Sequence, residues 1–320
     1  MVFSFLTLDD VDVSGKSVFL RVDINSPLDP VSKRILNASR IRATLDTLYE
    51  LSGARVVVGA HQSRPGKFDF TSLELHARVL QMYLNSRVRF VEDVIGSDAQ
   101  DAIKSLRPGE VLVLNNLRML EEENNQGPPG EVAGTRLVRT LSPFFDLVVN
   151  DAFAAAHRSQ PSLVGFGEVL PMVAGRLMER ELNAMNQVLG EPDRPCVFVL
   201  GGVKVEDRIP VMQRVLRDGI ADRILVGGLV RDMFHIAQGH NPLGYDAMGD
   251  SERALVGEAG ELLDRYGDKI EIPVDVALDV KGERVEIHVD SLTDERNIYD
   301  IGLNALARFC DWIKRAGTVV

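Results

Sequence analysis

Val18-Phe19-Leu20-Arg21-Val22-Asp23-Ile24-Asn25 decides the fold. A short apolar, β-branched run breaks abruptly into charged and polar residues. Three further stretches repeat the pattern. Val56-Val57-Val58-Gly59 runs into His61-Gln62-Ser63-Arg64, and Val111-Leu112-Val113-Leu114 into Asn115-Asn116-Leu117-Arg118. Leu147-Val148-Val149 runs into Asn150-Asp151 and then His157-Arg158. Such runs, bounded by turn residues and separated by helical spacing, read as buried parallel strands. Ligands of open parallel sheets bind outside the carboxyl ends of the strands. A single arginine there is as readily a solvated surface residue. Four in succession, Arg21, Arg64, Arg118 and Arg158, point to one anion pocket.

Working outward, the intervening segments carry helical periodicity. Ser39 is read as the N-cap of a helix through Ile41, Leu45, Leu48 and Leu51, stopped by Gly53. Arg40 would then sit at a helix start whose dipole also favours anions. Helices are expected over residues 71–84, 98–106 and 134–141, with a short strand at 87–90. The alternation is βαβ and predicts right-handed crossovers. Residues 172–189 read as one long helix joining two domains, with Met178, Leu182 and Met185 at helical spacing.

A second series follows. Cys196 to Leu200 is a strand ending in Gly201-Gly202-Val203-Lys204-Val205-Glu206-Asp207-Arg208. A helix is expected over 210–216, a strand over 223–226 ending in Gly227-Gly228, and later strands near 270–272 and 285–289. Glycine pairs let backbone approach a phosphate, and Lys204 adds a point charge. Neither turn is a G-x-G-x-x-G or Walker A loop. The whole reads as α/β, two doubly wound parallel-sheet domains: 1–170, an interdomain helix 171–190, and 191–320.

Bulk properties narrow the chemistry. The chain has 320 residues, 45% hydrophobic and 26% charged, with formal net charge −11. That acidity argues against binding nucleic acid or anionic membranes through the overall field. Cys196 and Cys310 are too few for a disulfide framework and fit a reducing compartment. The N-terminus lacks a signal-peptide pattern, and no apolar run is long enough to span a bilayer. A cytoplasmic monomer acting on a small molecule is the expectation. Arginine forks suit phosphate or carboxylate, while Asp23 and Asn25 suit hydroxyl groups. His61 and His157 are read as hydrogen-bond donors to an anion rather than metal ligands, because no metal-binding spacing is present.

These residues also resemble a known family. Arg21-Val22-Asp23-Ile24-Asn25, Ser39-Arg40-Ile41, His61-Gln62-Ser63-Arg64-Pro65, Asn116-Leu117-Arg118, Asn150-Asp151-Ala152-Phe153 with Ala156-His157-Arg158, and Leu200-Gly201-Gly202-Val203-Lys204-Val205 resemble phosphoglycerate kinase, in that order. Ala174-Gly175-Arg176-Leu177-Met178-Glu179 and residues 294–302 resemble its archaeal branch. The resemblance implies two Rossmann-like domains and a helical hinge. It implies reversible phosphoryl transfer between 1,3-bisphosphoglycerate and ADP, giving 3-phosphoglycerate and ATP in glycolysis and gluconeogenesis, with Mg²⁺ carried by the nucleotide. Phosphoglycerate would be held by Asp23, Ile24, Asn25, Arg40, His61, Gln62, Ser63, Arg64, Arg118 and Arg158. The nucleotide would meet Gly201, Gly202, Lys204, Arg208, Gly227 and Gly228. Arg40, Lys204 and Arg208 would serve catalysis.

Two departures accompany the resemblance. Many family members carry Lys where this chain has Arg208. The family also continues past Thr318-Val319-Val320 into an Asn-Gly-Pro turn, an acidic ribose contact and a Gly-Gly-Gly-Asp loop. The expectation is therefore a second domain lacking its C-terminal portion and a chain of low solubility. The alternative function is a 3-phosphoglycerate-binding fragment without catalysis.

Overall fold

Alternation along the first run sets two faces. Val18, Leu20 and Val22 enter one apolar cluster with Val56, Val58, Val113 and Val149. Phe19 enters a second cluster with Val57, Leu112 and Val148. A strand buried on both faces must sit inside a sheet covered on both sides. A computed structural model of the chain, describing residues 3–240, 249–292 and 298–320, has this arrangement.

The chain divides into two units, one spanning Phe3–Ala184 and the other Met185–Val320. The first holds β1 (Ser17–Val22), β2 (Arg55–Gly59), β3 (Val88–Phe90), β4 (Val111–Val113), β5 (Leu147–Asp151) and β6 (Met172–Ala174). They form one sheet in the order β3-β4-β2-β1-β5-β6, and every pairing is parallel. Register aligns Arg21 with Gly59 on one side and with Asn150 on the other. The carboxyl ends of β1, β2 and β5 therefore lie side by side.

Local structure departs from expectation at three places. The helix expected across residues 39–53 is two short helices, Ser39–Ala43 and Leu45–Glu50. Thr44 breaks it, its hydroxyl donating back to Ile41 O at 2.8 Å. Ser39 is the first helical residue rather than the cap, and Asn37 Oδ1 accepts its N–H at 2.7 Å. So short a helix has little dipole, and Arg40 must act through its guanidinium. Residues 129–141 likewise form two helices, Pro129–Ala133 and Arg136–Leu141.

The third departure is at residue 172. Met172–Ala174 pair with β5, and the helix starts only at Arg176, running to Gly190. Its first turn is tied into the first unit. Asp151 Oδ1, at the end of β5, accepts Met178 N–H at 3.0 Å, while Oδ2 accepts the Thr47 hydroxyl at 2.7 Å. Asp151 is fully buried, and burial raises its carboxyl pKa. Arg176 binds Asp9, Glu50 and Glu179 at 2.5–2.7 Å.

The second unit contains β7 (Cys196–Leu200), β8 (Arg223–Val226), β9 (Ile270–Glu271), β10 (Asp275–Val280), β11 (Glu283–His288), β12 (Ile298–Ile301) and β13 (Thr318–Val319). Four of these make a parallel sheet in the order β13-β7-β8-β9. β10, β11 and β12 make a separate antiparallel sheet, so this unit is not simply a second doubly wound sheet. Of the stretch 294–302, residues 294–297 lie outside the described residues. Among the described residues, no helix is long and apolar enough to cross a membrane.

Candidate active site

In the first unit, a cavity of about 190 Å³ opens at the carboxyl ends of the central strands. Arg21, Asp23, Asn25, Arg40, His61, Arg118 and Arg158 line it, with Ala154 and Ala155. Arg21 comes from β1 itself. His61 follows β2, Arg118 follows β4, and Arg158 follows β5. Parallel pairing thus delivers residues far apart in sequence to one mouth.

The loops around the mouth are braced by buried amides. Asn116 Nδ2 donates to Gln62 O at 2.7 Å and to Thr71 O at 2.9 Å, and its Oδ1 accepts Gln62 N–H. Gln62 Oε1 accepts Ser26 N–H at 2.9 Å, and Nε2 donates to Ser26 O and Asp69 O. Gln62 is fully buried and committed to these backbone groups, so its side chain braces the loop and does not face the cavity. Ile24 belongs to the apolar core. Ser63, at φ +56°, turns the chain and bonds Asp69 at 2.5 Å. Arg64 is exposed beyond the cavity lining, and His157 is exposed, accepting from Arg158 Nε at 3.2 Å.

Positive charge is concentrated here against its own repulsion. Burial, then the charges of Arg158, Arg64 and Arg21, push the Arg118 pKa down to about 10. Arg118 Nη1 donates to Ser63 O at 2.5 Å, but its buried Nε has no acceptor among the described residues. A buried donor left unpaired costs free energy that an arriving anion relieves. Arg40, about half exposed, pairs with Asp23 at 2.7 Å. Such an exposed pair is worth little and is readily exchanged for a ligand.

Behind the cavity lies a buried network that joins Arg21 and His61 to Ser162 and Glu123, two residues not expected on sequence. Arg21, 1% exposed, donates from Nε to Ser162 Oγ at 2.8 Å and from Nη1 to Val22 O. Its Nη2 meets His61 Nδ1 at 3.0 Å, and His61 Nε2 meets Glu123 Oε1 at 2.7 Å. Arginine has no acceptor. His61 Nδ1 must therefore accept, and Nε2–H must donate to Glu123. His61 is neutral: burial, then the surrounding arginine charges, hold its pKa far below the usual value. Both ring nitrogens are spent inside the protein, so His61 offers the cavity no N–H in this arrangement. Burial raises the Glu123 pKa, opposed by the Arg21 charge and the Ser162 donors. In the sequence Glu123 is one of three consecutive glutamates, which reads as solvated. The residues 121–124 instead form a 3₁₀ turn that sends the third inward.

In the second unit, Gly201-Gly202 follows β7 and Gly227-Gly228 follows β8. The two turns touch. Gly227 N–H donates to Leu200 O at 2.9 Å and Leu229 N–H to Gly202 O at 3.0 Å. Gly228 has φ +56°, and a Cβ there would lie 2.5 Å from Gly202 N. Only glycine tolerates both the conformation and the approach. Lys204 is exposed immediately before the helix Val205–Arg217. Arg208, also exposed, donates from Nε to Gly201 O at 3.3 Å. A larger cavity of about 720 Å³ in this unit is lined by Arg223, Glu271 and Arg308. Glu271 is paired with both arginines, leaving that cavity far less net positive charge.

Parallel strands that end in an arginine-lined cavity in one unit, and in paired glycine turns in the other, define an α/β phosphotransferase, a kinase acting on a small molecule. The family model described as phosphoglycerate kinase matches residues 8–320. A phosphoglycerate kinase of Methanococcus maripaludis is 45% identical over 99% of this chain and 79% of its own length. One of Methanothermobacter thermautotrophicus is 46% identical over 99% of this chain and 78% of its own. The crystal structure of phosphoglycerate kinase from Pyrococcus horikoshii OT3 superimposes with a TM-score of 0.89 at 41% identity, covering 98% of this chain and 79% of that one. The chain belongs to the phosphoglycerate kinase family.

Proposed function

We propose that the chain transfers a phosphoryl group reversibly between 1,3-bisphosphoglycerate and ADP, giving 3-phosphoglycerate and ATP, in cytoplasmic glycolysis and gluconeogenesis, as a monomer. Residues 1–170 hold the acid phosphate and residues 191–320 the nucleotide. The observation that carries the reading is the Arg21–Arg118–Arg158 cavity with its orphan Arg118 Nε–H. A three-carbon acid phosphate supplies the negative charge and acceptors this cavity lacks.

Arg118 and Arg158 bind its anionic groups as forks. Asp23 and Asn25 meet its hydroxyl, and Arg64 adds positive charge at the rim. Arg40 leaves its weak pairing with Asp23 to stabilise charge on the transferring group. The Gly201-Gly202 and Gly227-Gly228 cradle admits nucleotide phosphates, with Lys204 and Arg208 beside it. Among the described residues no cluster of three or more His, Cys, Asp or Glu is arranged to hold a metal ion. On the reading of the family resemblance, a Mg²⁺ ion would arrive on the nucleotide's own oxygens.

The test is a coupled phosphoryl-transfer assay. Arg158→Ala raises the KM for 3-phosphoglycerate at least tenfold, on the scale of one lost charge-assisted hydrogen bond, with the KM for ATP unchanged. Arg40→Ala lowers kcat by roughly 10²–10³, on the scale of one preorganised charge stabiliser. A loss below about threefold removes Arg40 from the mechanism.

A further inference from the structure

Glu123 is bonded to His61 and Ser162 behind the arginine cavity but does not line it, and nothing in the proposed chemistry uses it. It is 0% exposed. Oε1 accepts from His61 Nε2 at 2.7 Å and from Ser162 Oγ, and Oε2 accepts Ser162 N–H at 3.0 Å. The backbone next to it is tied as well, since Gln160 Nε2 donates to Glu123 O at 2.9 Å. Ser162 Oγ accepts from Arg21 Nε, so its own proton must point to Glu123. Every group bonded to the side chain is thus a donor, the arrangement that suits an ionised carboxylate, although burial works against that charge.

The same logic runs outward to Arg21. Among the described residues its guanidinium forms no ion pair with a carboxylate. It reaches Glu123 through two neutral bridges, the Ser162 hydroxyl and the His61 ring. These bridges and Val22 O use three of its five N–H groups, and Arg21 itself lines the cavity. Because the bridges differ in chemistry, each must be correctly polarised for Arg21 to be held. A hydroxyl rotates to suit, but an imidazole has only one tautomer that works.

We propose that Glu123 is a positioning residue for the acid-phosphate pocket: its carboxylate locks His61 with the proton on Nε2, so that Nδ1 and Ser162 Oγ together aim the Arg21 guanidinium at the ligand. The inference rests on the reading of this cavity as the 3-phosphoglycerate site. Glu123→Gln keeps the shape and removes the polarity. With the amide NH₂ toward Ser162 N–H, two donors collide. With it toward His61, the ring must flip its tautomer and present Nδ1–H to Arg21. Either way Arg21 loses its anchor.

The experiment has three arms. Spectra of ¹⁵N-histidine-labelled wild-type protein show His61 protonated on Nε2 and bare on Nδ1. Calorimetric titration with 3-phosphoglycerate shows Glu123→Gln weakened roughly tenfold, as for loss of a charge-assisted hydrogen bond, with the single Nε2–H form of His61 lost in its spectra. If that variant does not fold, Ser162→Ala removes one bridge and weakens binding roughly threefold. Arg158→Ala is titrated alongside. Wild-type affinity in Glu123→Gln or Ser162→Ala while Arg158→Ala is weakened overturns the positioning role alone. So does a wild-type His61 protonated on Nδ1. Wild-type affinity in Arg158→Ala overturns the reading of the cavity itself.

Discussion

Replacing Arg118 by Met should make the unliganded protein more stable while damaging its site. Arg118 is 7% exposed, and its pKa is lowered to about 10 by burial and by three neighbouring guanidinium charges. That displacement corresponds to about 3 kcal/mol spent holding the charge in place. Met has similar length and no charge, so it removes this cost. It also removes the bond from Nη1 to Ser63 O, worth about 1 kcal/mol. The balance is a gain of about 2 kcal/mol, or roughly 4–8 °C in Tm for a unit of this size. Affinity moves the other way: the lost fork costs about 1.5–3 kcal/mol of binding, a factor of roughly 10–150. Scanning calorimetry with and without 3-phosphoglycerate measures both. Without ligand the variant melts higher; at saturating ligand the order narrows or reverses, because only the wild type gains full binding energy. A variant melting at or below wild type without ligand would refute the claim that Arg118 is held against repulsion.

Stability should also fall on mild acidification. His76 is fully buried, and burial lowers its pKa from 6.5 to about 4. Between those values the unfolded chain binds the proton and the folded chain does not, so stability drops from pH 7 to pH 5 by about 2 kcal/mol for this residue. His76→Gln flattens that slope in a pH series of denaturant melts, and an unaltered slope would sink the assignment. Gly228→Ala forces a Cβ to 2.5 Å from Gly202 N at φ +56°. It should cost about 1–3 kcal/mol and weaken ADP binding in a fluorescence titration; normal melting with normal affinity counts against the cradle. Asp151→Ala strands the Met178 N–H and the Thr47 hydroxyl in a buried site. The expected loss is about 2–4 kcal/mol in urea unfolding, and a change below about 0.5 kcal/mol contradicts the network.

The first sheet was legible because its strands are apolar on both faces and end abruptly in polar residues. That signature needs no knowledge of partners. β6 was not legible: Met172-Val173-Ala174 runs directly into helical spacing, and only pairing with β5 makes it a strand. The antiparallel sheet was half visible: a strand near 285–289 was expected and is β11, but its central partner β10 was not, since residues 275–280 read neither as a buried run nor as a strict alternation. At the site, arginines at strand ends announced the cavity, and most of those named do line it. Gln62 and His61 show the limit. Polar residues in a motif look like ligand contacts in a sequence, but these two spend their hydrogen-bonding capacity inside the protein. Glu123 was invisible because two glutamates precede it, and no periodicity marks the one that turns inward.

Asp151 joins two things usually kept apart. Its backbone closes β5 at the floor of the arginine cavity, three residues before Ala154, while its carboxylate holds the first turn of the helix that begins at Arg176. One short side chain therefore belongs to the strand that ends beside the cavity and to the first turn of that helix. Asp151 shares that work with Thr47, which accepts the Arg176 N–H at 2.9 Å, so the start of the helix and the end of the strand are moored to each other at neighbouring points.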